Sequence, residues 1–169
     1  MRPTFTTVTI LLSAAATALT GCGYSTAPMH RTDVKTVYVP IWNEGKDVYR
    51  RGLEFRLTEA VIKRLRQVTD YKLADKAHAD TMLTGTIELV PQRVLSANPD
   101  TGLPRELEAT FLVSFTWTDM RSGKPIVKRP NIREVGTYIP PFSESFYQGS
   151  EDVINRLAER IVQEMEADW

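Results

Sequence analysis

Alternation of apolar and polar residues predicts three main β-strands, because successive side chains of a strand point to opposite faces. The first strand covers residues 34–41, where Pro40 favours the end of pairing or an edge position. Residues 82–90 and 105–120 form two longer runs. The predicted inward positions are Val37, Val39 and Ile41 in the first run, Leu83, Gly85, Ile87 and Leu89 in the second, and Leu107, Ala109, Phe111, Val113, Phe115 and Trp117 in the third.

Turn-forming residues separate these strands. The sequence Asn-Pro-Asp-Thr-Gly at 98–102 predicts a tight hairpin, and Arg-Ser-Gly-Lys-Pro at 121–125 predicts a second turn that leads into a short strand at 126–128. Another short strand is predicted at 71–74. Residues 129–141 contain three prolines and are predicted to be irregular.

A period near 3.6 residues predicts two amphipathic helices. One covers residues 48–68, and the other begins between residues 143 and 150 and runs to the C-terminus. The first helix carries six basic against two acidic residues, and the second carries two basic against six acidic residues from residue 151 on, so we expect them to pack side by side. Their apolar stripes are Leu53, Phe55, Leu57, Ala60, Val61, Ile62, Leu65 and Val68, and Val153, Ile154, Leu157, Ala158, Ile161, Val162 and Met165.

The order of the elements predicts an α+β fold. A strand, a helix and a strand at the start imply a right-handed crossover and a parallel pair, while the later hairpins add antiparallel strands. Each helix has one apolar face, so both are expected on the same side of the sheet. The prediction is two helices packed on one face of a mixed, mainly four-stranded β-sheet, after an N-terminal lipoprotein signal peptide.

The first twenty-two residues have the pattern of that signal peptide. Arg2 is followed by an apolar stretch at 5–19 that is too short and too rich in threonine to span a membrane convincingly. Leu-Thr-Gly-Cys then ends at Cys22, the single cysteine, and resembles a bacterial lipobox. We expect residues 1–21 to be removed, 22–32 to form a tether lipidated at Cys22, and 33–169 to fold as one domain. A plain secretory peptide, or an uncleaved anchor with an incidental cysteine, is the other reading.

Composition argues against several classes of function. The predicted mature chain has 20 basic and 21 acidic residues, which is unlike the basic charge of nucleic-acid-binding domains. His30 and His78 lack metal-ligand spacing. Glu106 and Glu108 share one side of a strand and are interpreted as part of a solvated sheet face rather than an acid/base pair. No catalytic motif is found, so neither an enzyme nor a cofactor is predicted.

Several short segments, in this order, resemble the LptE family of outer-membrane lipopolysaccharide-assembly lipoproteins. No segment is specific alone, but their order and spacing are. They are Gly-Cys-Gly-Tyr at 21–24, Val-Tyr-Val-Pro at 37–40, Leu-Glu-Phe-Arg-Leu-Thr-Glu-Ala at 53–60, Ala-Asp-Thr-Met-Leu-Thr-Gly-Thr-Ile at 79–87, and a tryptophan, Trp169, near the end of the last helix.

The resemblance implies a role in assembly and not a catalytic activity. Family members act as plug and assembly partner of an outer-membrane β-barrel of the LptD type that inserts lipopolysaccharide into the outer leaflet, and some bind the glycolipid. It therefore implies a lipid-anchored protein on the periplasmic face of the outer membrane. Gly23 agrees, since an Asp after the cysteine often retains lipoproteins at the inner membrane. A component of another envelope or secretion machine, with no glycolipid role, is the alternative.

The candidate contact residues are polar and basic side chains near the predicted hairpin ends. The resemblance implies that a basic residue near the hairpin tip contacts glycolipid, and Arg105 is the nearest candidate, because arginine suits a phosphate. Each of these side chains is also compatible with a solvated rim. The set is Arg93, Asn98, Asp100, Arg105, Lys124, Lys128 and Arg129. The outward strand positions Thr84, Thr86, Glu88, Glu108, Thr110 and Ser114 suit either contact with a polar barrel wall or water.

Overall fold

A computed structural model of the chain describes residues 33–139 and 146–166, so the signal peptide, Cys22, the tether and Trp169 lie outside the described residues. The elements follow one another as β1 (Thr36–Tyr38), β2 (Asn43–Glu44), α1 (Leu53–Val68), β3 (Lys72–Leu73), β4 (Thr81–Leu89), β5 (Gln92–Ala97), β6 (Pro104–Asp119), β7 (Pro125–Tyr138), α2 (Phe146–Gly149) and α3 (Glu151–Glu166).

The long strand β6 is the centre of the sheet. Along one edge it pairs with β7, and along the other it pairs first with β5 and then with β4, all antiparallel. On the far side of β4, β1 and β2 run parallel to it, and β3 runs parallel to β1. The sheet is therefore mixed, as the order of elements predicts.

The core lies between the sheet and the two long helices. All six predicted inward positions of β6 point into this layer, and five of them are buried, among them Phe111, Phe115 and Trp117. All seven predicted apolar residues of the last helix are buried as well. Helices α1 and α3 pack side by side, where Arg64 and Glu159 form an ion pair at 2.7 Å. The α+β fold class is confirmed.

The prediction of an irregular segment after residue 128 is wrong, because β7 continues to Tyr138. Pro130 is accommodated at a bulge, where the register with β6 shifts and Asn131 adopts a φ of 58°. Among the described strands β7 pairs with β6 alone, so its other edge is free and a proline there removes no ladder hydrogen bond. Pro130 thus marks a bulge in an edge strand rather than a loop, while the prolines at 140 and 141 lie outside the described residues.

The first strand and first helix are shorter than predicted. Helix α1 begins at Leu53 rather than near residue 48, after Gly52 in the left-handed region with a φ of 87°. Strand β1 ends at Tyr38, and the alternation then changes because Trp42, not Ile41, turns inward. Ile41 and Phe55, both expected to face the core, are each 57% exposed.

Strand β5 is one of the strands that the sequence does not predict, and the described sheet has seven strands instead of mainly four. Pro91 interrupts the ladder after β4, but its carbonyl still accepts a hydrogen bond from the Thr110 amide at 3.0 Å. The chain therefore continues along the same edge of β6 as β5. The register shift between Ile87 and Leu89 turns Leu89 out of the core.

Candidate functional site

The segment 79–87 connects several elements of the fold through hydrogen bonds and packing contacts. One carboxylate oxygen of Asp80 accepts hydrogen bonds from the Thr36 hydroxyl at 2.9 Å and from the amides of Thr36 and Lys35 at 3.1 and 3.3 Å. The other oxygen pairs with Arg121 in the turn between β6 and β7. Hydrogen bonds from Thr36 and then Arg121 hold the pKa of Asp80 below its usual value. Asp80 thus joins the start of β1 to that turn.

The glycine of the same segment makes room for an aromatic side chain. A Cβ atom on Gly85 would stand 2.2 Å from the ring of Trp42, which is 2% exposed. The flanking Leu83 and Ile87 are fully buried. Gly85, Leu83 and Ile87, which carry part of the family resemblance, therefore have packing roles in the core.

The hairpin arm, which we define as residues 92–108, is the part of the described chain least covered by other elements. All six residues of β5 are exposed, and so are Leu103 and Arg105 beyond the turn. Val94 is 51% exposed and Leu103 is 64% exposed. A strand of six residues is about 20 Å long. These apolar side chains, exposed within the described chain, make the arm a candidate contact surface.

The tip of the arm is a well-defined turn. The Asn98 amide donates to the Leu103 carbonyl at 2.8 Å, and the Gly102 amide donates to the Asn98 carbonyl at 2.8 Å. The Asn98 side-chain oxygen accepts from the Asp100 amide at 2.9 Å, and Gly102 has a φ of 69° that favours glycine. Asn98 and Asp100 therefore shape the turn, and the Asp100 side chain remains exposed.

An open groove of about 600 Å³ runs along the arm. Leu103, Pro104 and Ile139 give it an apolar wall, and Arg105 stands at its side. Among the described residues Arg105 has no ion-pair partner, whereas Arg93 pairs with Glu108 at 3.3 Å. An unpaired guanidinium beside apolar surface is suited to an anionic amphiphile.

The seven predicted contact residues fall into two groups at opposite ends of β6. Arg93, Asn98, Asp100 and Arg105 belong to the hairpin arm. Lys128 pairs in register with Thr116, eleven residues beyond Arg105 on β6, which is roughly 35 Å along a strand. The second group comprises Lys124, Lys128 and Arg129.

The second group surrounds the turn after β6. Lys124 lines a polar cleft of about 360 Å³ with Asp33 and Asp119, and Lys128 is exposed. The pKa of Asp119 is held below its ordinary value, first by the Ser122 hydroxyl. Arg129 faces α3 and pairs with Glu164 at 2.9 Å. Arg129 therefore helps to fix the helix on the sheet.

The sheet face opposite the helices is polar. The predicted outward residues Thr84, Thr86, Glu88, Thr110 and Ser114 all lie half-buried, and the Ser114 hydroxyl donates to Glu88 at 2.5 Å. Helices α1 and α3 pack on the other face, where the apolar residues lie. Within the described chain this leaves a broad polar surface for water or a polar partner.

Sequence reasoning missed the apolar part of the arm. Val94, Leu95, Leu103 and Ile139 are all at least 40% exposed, although the pattern of apolar and polar residues does not predict that they stay outside a core. Leu103, an apolar residue between the turn residues 98–102 and Pro104, is the sequence feature that could have indicated this surface. Within residues 33–139 and 146–166, no cluster of metal-ligating side chains is present, and no helix there is long and apolar enough to cross a membrane.

Solved structures show the class of fold. The solution structure of an uncharacterized lipoprotein B from Nitrosomonas europaea is 14% identical with a TM-score of 0.60, covering 87% of this chain and 91% of that one. A hypothetical protein from Chlamydia trachomatis is 11% identical with a TM-score of 0.55, covering 79% and 96%. The fold is thus a small α+β domain of the kind found in a bacterial lipoprotein.

The family is shown by sequence. Residues 34–168 match the family model LptE, lipopolysaccharide-assembly, and the chain belongs to this family of non-enzymatic assembly lipoproteins. A comparison with curated proteins gives no match. The family resemblance stated from the motifs is confirmed.

Proposed function

We propose that this protein is an outer-membrane lipoprotein that acts as plug and assembly partner of a β-barrel translocon of the LptD type. The observation that carries the proposal is the family match over residues 34–168 together with an arm whose apolar side chains have no cover among the described residues. In this role the arm and the polar sheet face contact the barrel, whose interior is polar.

The anchor supports the same arrangement. Signal cleavage before Cys22 and acylation of its thiol would fix the chain to the membrane, since two or more acyl chains anchor stably. The first described residue, Asp33, lies at the cleft beside the β6–β7 turn, at the end of β6 opposite the arm. An eleven-residue tether spans at most about 40 Å. The arm would thus extend away from the anchored end.

A contact with the glycolipid fits the arm. Lipopolysaccharide offers phosphates and acyl chains, and the groove presents the Arg105 guanidinium next to Leu103 and Ile139. The guanidinium would pair with a phosphate while the apolar wall meets acyl carbon. This is a positioning contact and requires no chemistry.

The test is gentle detergent extraction of the lipidated protein from its own envelope, followed by mass spectrometry of the protein and of what co-purifies. We expect a mass that lacks residues 1–21 and carries acyl chains, and a large outer-membrane barrel as partner. An intact leader with an unmodified thiol would refute the anchor. Recovery of a soluble or inner-membrane partner alone would refute the barrel role and favour another envelope machine.

A further inference from the structure

The base of the hairpin arm is tied to the body of the domain by one cluster of side chains. Gln92 is the first residue of β5, and Tyr138 is the last residue of β7. Arg50, in the loop before α1, donates hydrogen bonds to Gln92. All six residues of β5, Gln92 included, are exposed. The cluster is therefore a contact between the base of the arm and the packed body of the domain.

Hydrogen bonding fixes the arrangement of the three residues. An arginine can only donate, so the Gln92 amide oxygen faces Arg50 and accepts from its Nε and Nη2 atoms at 3.1 and 3.0 Å. The amide nitrogen then donates to the Tyr138 oxygen at 2.7 Å. Burial raises the pKa of Tyr138, with Arg50 acting in the opposite sense, so the phenol stays neutral. Gln92 is thus held from both sides.

Aromatic contacts close the cluster into a ring. The Arg50 guanidinium lies 4.3 Å from the centre of the Phe146 ring, at the start of α2. Phe146 in turn meets Tyr138 edge-on, with ring centres 5.9 Å apart. Both aromatic side chains are 5% exposed. The Arg50 guanidinium over the buried Phe146 ring is partly desolvated, and desolvation strengthens a cation–π interaction.

We propose that Arg50 is the positioning residue of the hairpin arm, which fixes the angle between the arm and the body through Gln92. Arg50 contacts β5 through Gln92 and α2 through Phe146, and Gln92 in turn connects it to Tyr138 of β7. The paired Nε and Nη2 donors to Gln92 are a feature of the planar guanidinium. Without it, Gln92 keeps Tyr138 alone and the arm pivots about its base. The consequence for partner binding rests on the proposed function, because a pre-set arm binds with less loss of conformational freedom.

The experiment measures the arm angle directly. A ketone-bearing amino acid is placed at Thr101 on the tip and at Gln163 on α3, both exposed, and spin labels are attached in the purified full-length lipoprotein. Pulsed electron resonance then gives the distribution of distances between the labels. We expect a narrow distribution for the parent protein and a clearly broader or shifted one for Arg50→Ala.

Two further variants separate positioning from a general loss of structure. Arg56→Ala removes a guanidinium that lies 5.1 Å from the Tyr147 ring, away from the arm, so its distribution should match the parent. Arg50→Lys restores the charge without the planar fork and should recover the distribution in part. Gln92→Ala should broaden it as Arg50→Ala does. An unchanged distribution in Arg50→Ala, or equal broadening in Arg56→Ala, would overturn the proposal.

Barrel capture provides a second readout that keeps the two proposals distinct. If the proposed function holds, Arg50→Ala should retain less barrel than Arg56→Ala by several-fold at similar thermal stability. If the parent protein retains no barrel, the proposed function fails while the distance measurement still decides the role of Arg50.

Discussion

At the scale of single residues, the family motif and the proposed binding surface are separate. Asp80 and Gly85 have structural roles: Asp80 accepts a hydrogen bond from Thr36, and Gly85 leaves room for the Trp42 ring. Arg105 and Leu103 touch little within the described chain and stand at the groove. Substitutions in the two groups should therefore have different consequences, one for stability and the other for binding.

Gly85→Ala should destabilise the domain by about 1–3 kcal/mol, because its methyl group would overlap the buried Trp42 ring and force a packing shift. Urea denaturation followed by tryptophan fluorescence gives the free energy of unfolding. Thr84→Ala, one position away on the open face, serves as the control and should have a smaller effect. Equal losses in both variants would contradict the packing explanation.

Arg105→Ala should weaken binding of purified lipopolysaccharide several-fold without loss of stability, because it removes the unpaired cation beside the apolar wall of the groove. Arg93→Ala is the matched control, since that guanidinium is already paired with Glu108. Binding is measured by retention of the lipid on immobilised protein. Equal binding by the parent and Arg105→Ala would exclude the groove as the lipid contact.

At the scale of elements, two contacts between a helix and a strand lead to testable predictions. One is the contact between β2 and the start of α1, where a hydrogen bond with Glu54, burial and the charge of Glu54 raise the pKa of Glu44 to about 7, while Arg51 acts to lower it. The other is the contact between α3 and the edge of β7 that has no strand partner among the described residues. Arg156 and Arg160 of α3 donate to the carbonyls of Val135 and Arg133 there, at 2.8 and 3.1 Å.

The raised pKa of Glu44 predicts a pH dependence of stability. The folded carboxyl holds its proton up to a pH of about 7, whereas the unfolded chain releases it near the ordinary value of 4.5. The folded state therefore binds more protons in this interval, and the free energy of unfolding falls as pH rises from about 4.5 to 7.

Glu44→Gln should remove this part of the slope and be more stable than the parent at pH 8. Urea denaturation at several pH values checks it, with Glu59→Gln on the exposed side of α1 as control. The same slope in parent and Glu44→Gln would show that another group is responsible.

The two arginines should also protect the β7 edge. Free strand edges invite pairing with another chain, and side chains that occupy their carbonyls prevent it. Arg156→Ala combined with Arg160→Ala should therefore increase self-association, as measured by light scattering after size-exclusion chromatography. Arg66→Ala, an exposed arginine of α1, should remain like the parent. A double variant with the same oligomeric state as the parent protein would rule out this protective role.

The elements show where sequence reasoning succeeded and where it failed. The periodicity of the sequence predicts β6 and α3 because each buries one continuous face. It does not predict the second half of β7, because proline disfavours paired strands, yet the edge position of β7 tolerates Pro130 at the bulge. Strand β5 has no buried face, so its sequence carries no alternation to detect. The arm carries four of the seven candidate contact residues, and its β5 strand is for that reason not predicted from the sequence.

At the scale of the whole molecule, the two ends of β6 have different surroundings. One end carries the polar cleft where the described chain begins, and the other carries the arm with its exposed apolar side chains. The helices cover one sheet face, and the polar face stays open. With the proposed anchor at one end and the arm at the other, the domain would be suited to reach from a membrane surface into a larger partner.

Site-specific photo-crosslinking in intact envelopes tests this arrangement most directly. A photoreactive amino acid at Leu103 on the arm is compared with one at Lys76, an exposed residue in the loop after β3. We predict that Leu103 captures a large outer-membrane barrel with high yield and that Lys76 captures much less. Capture of a soluble protein alone at Leu103, or no capture at either position, would contradict the account.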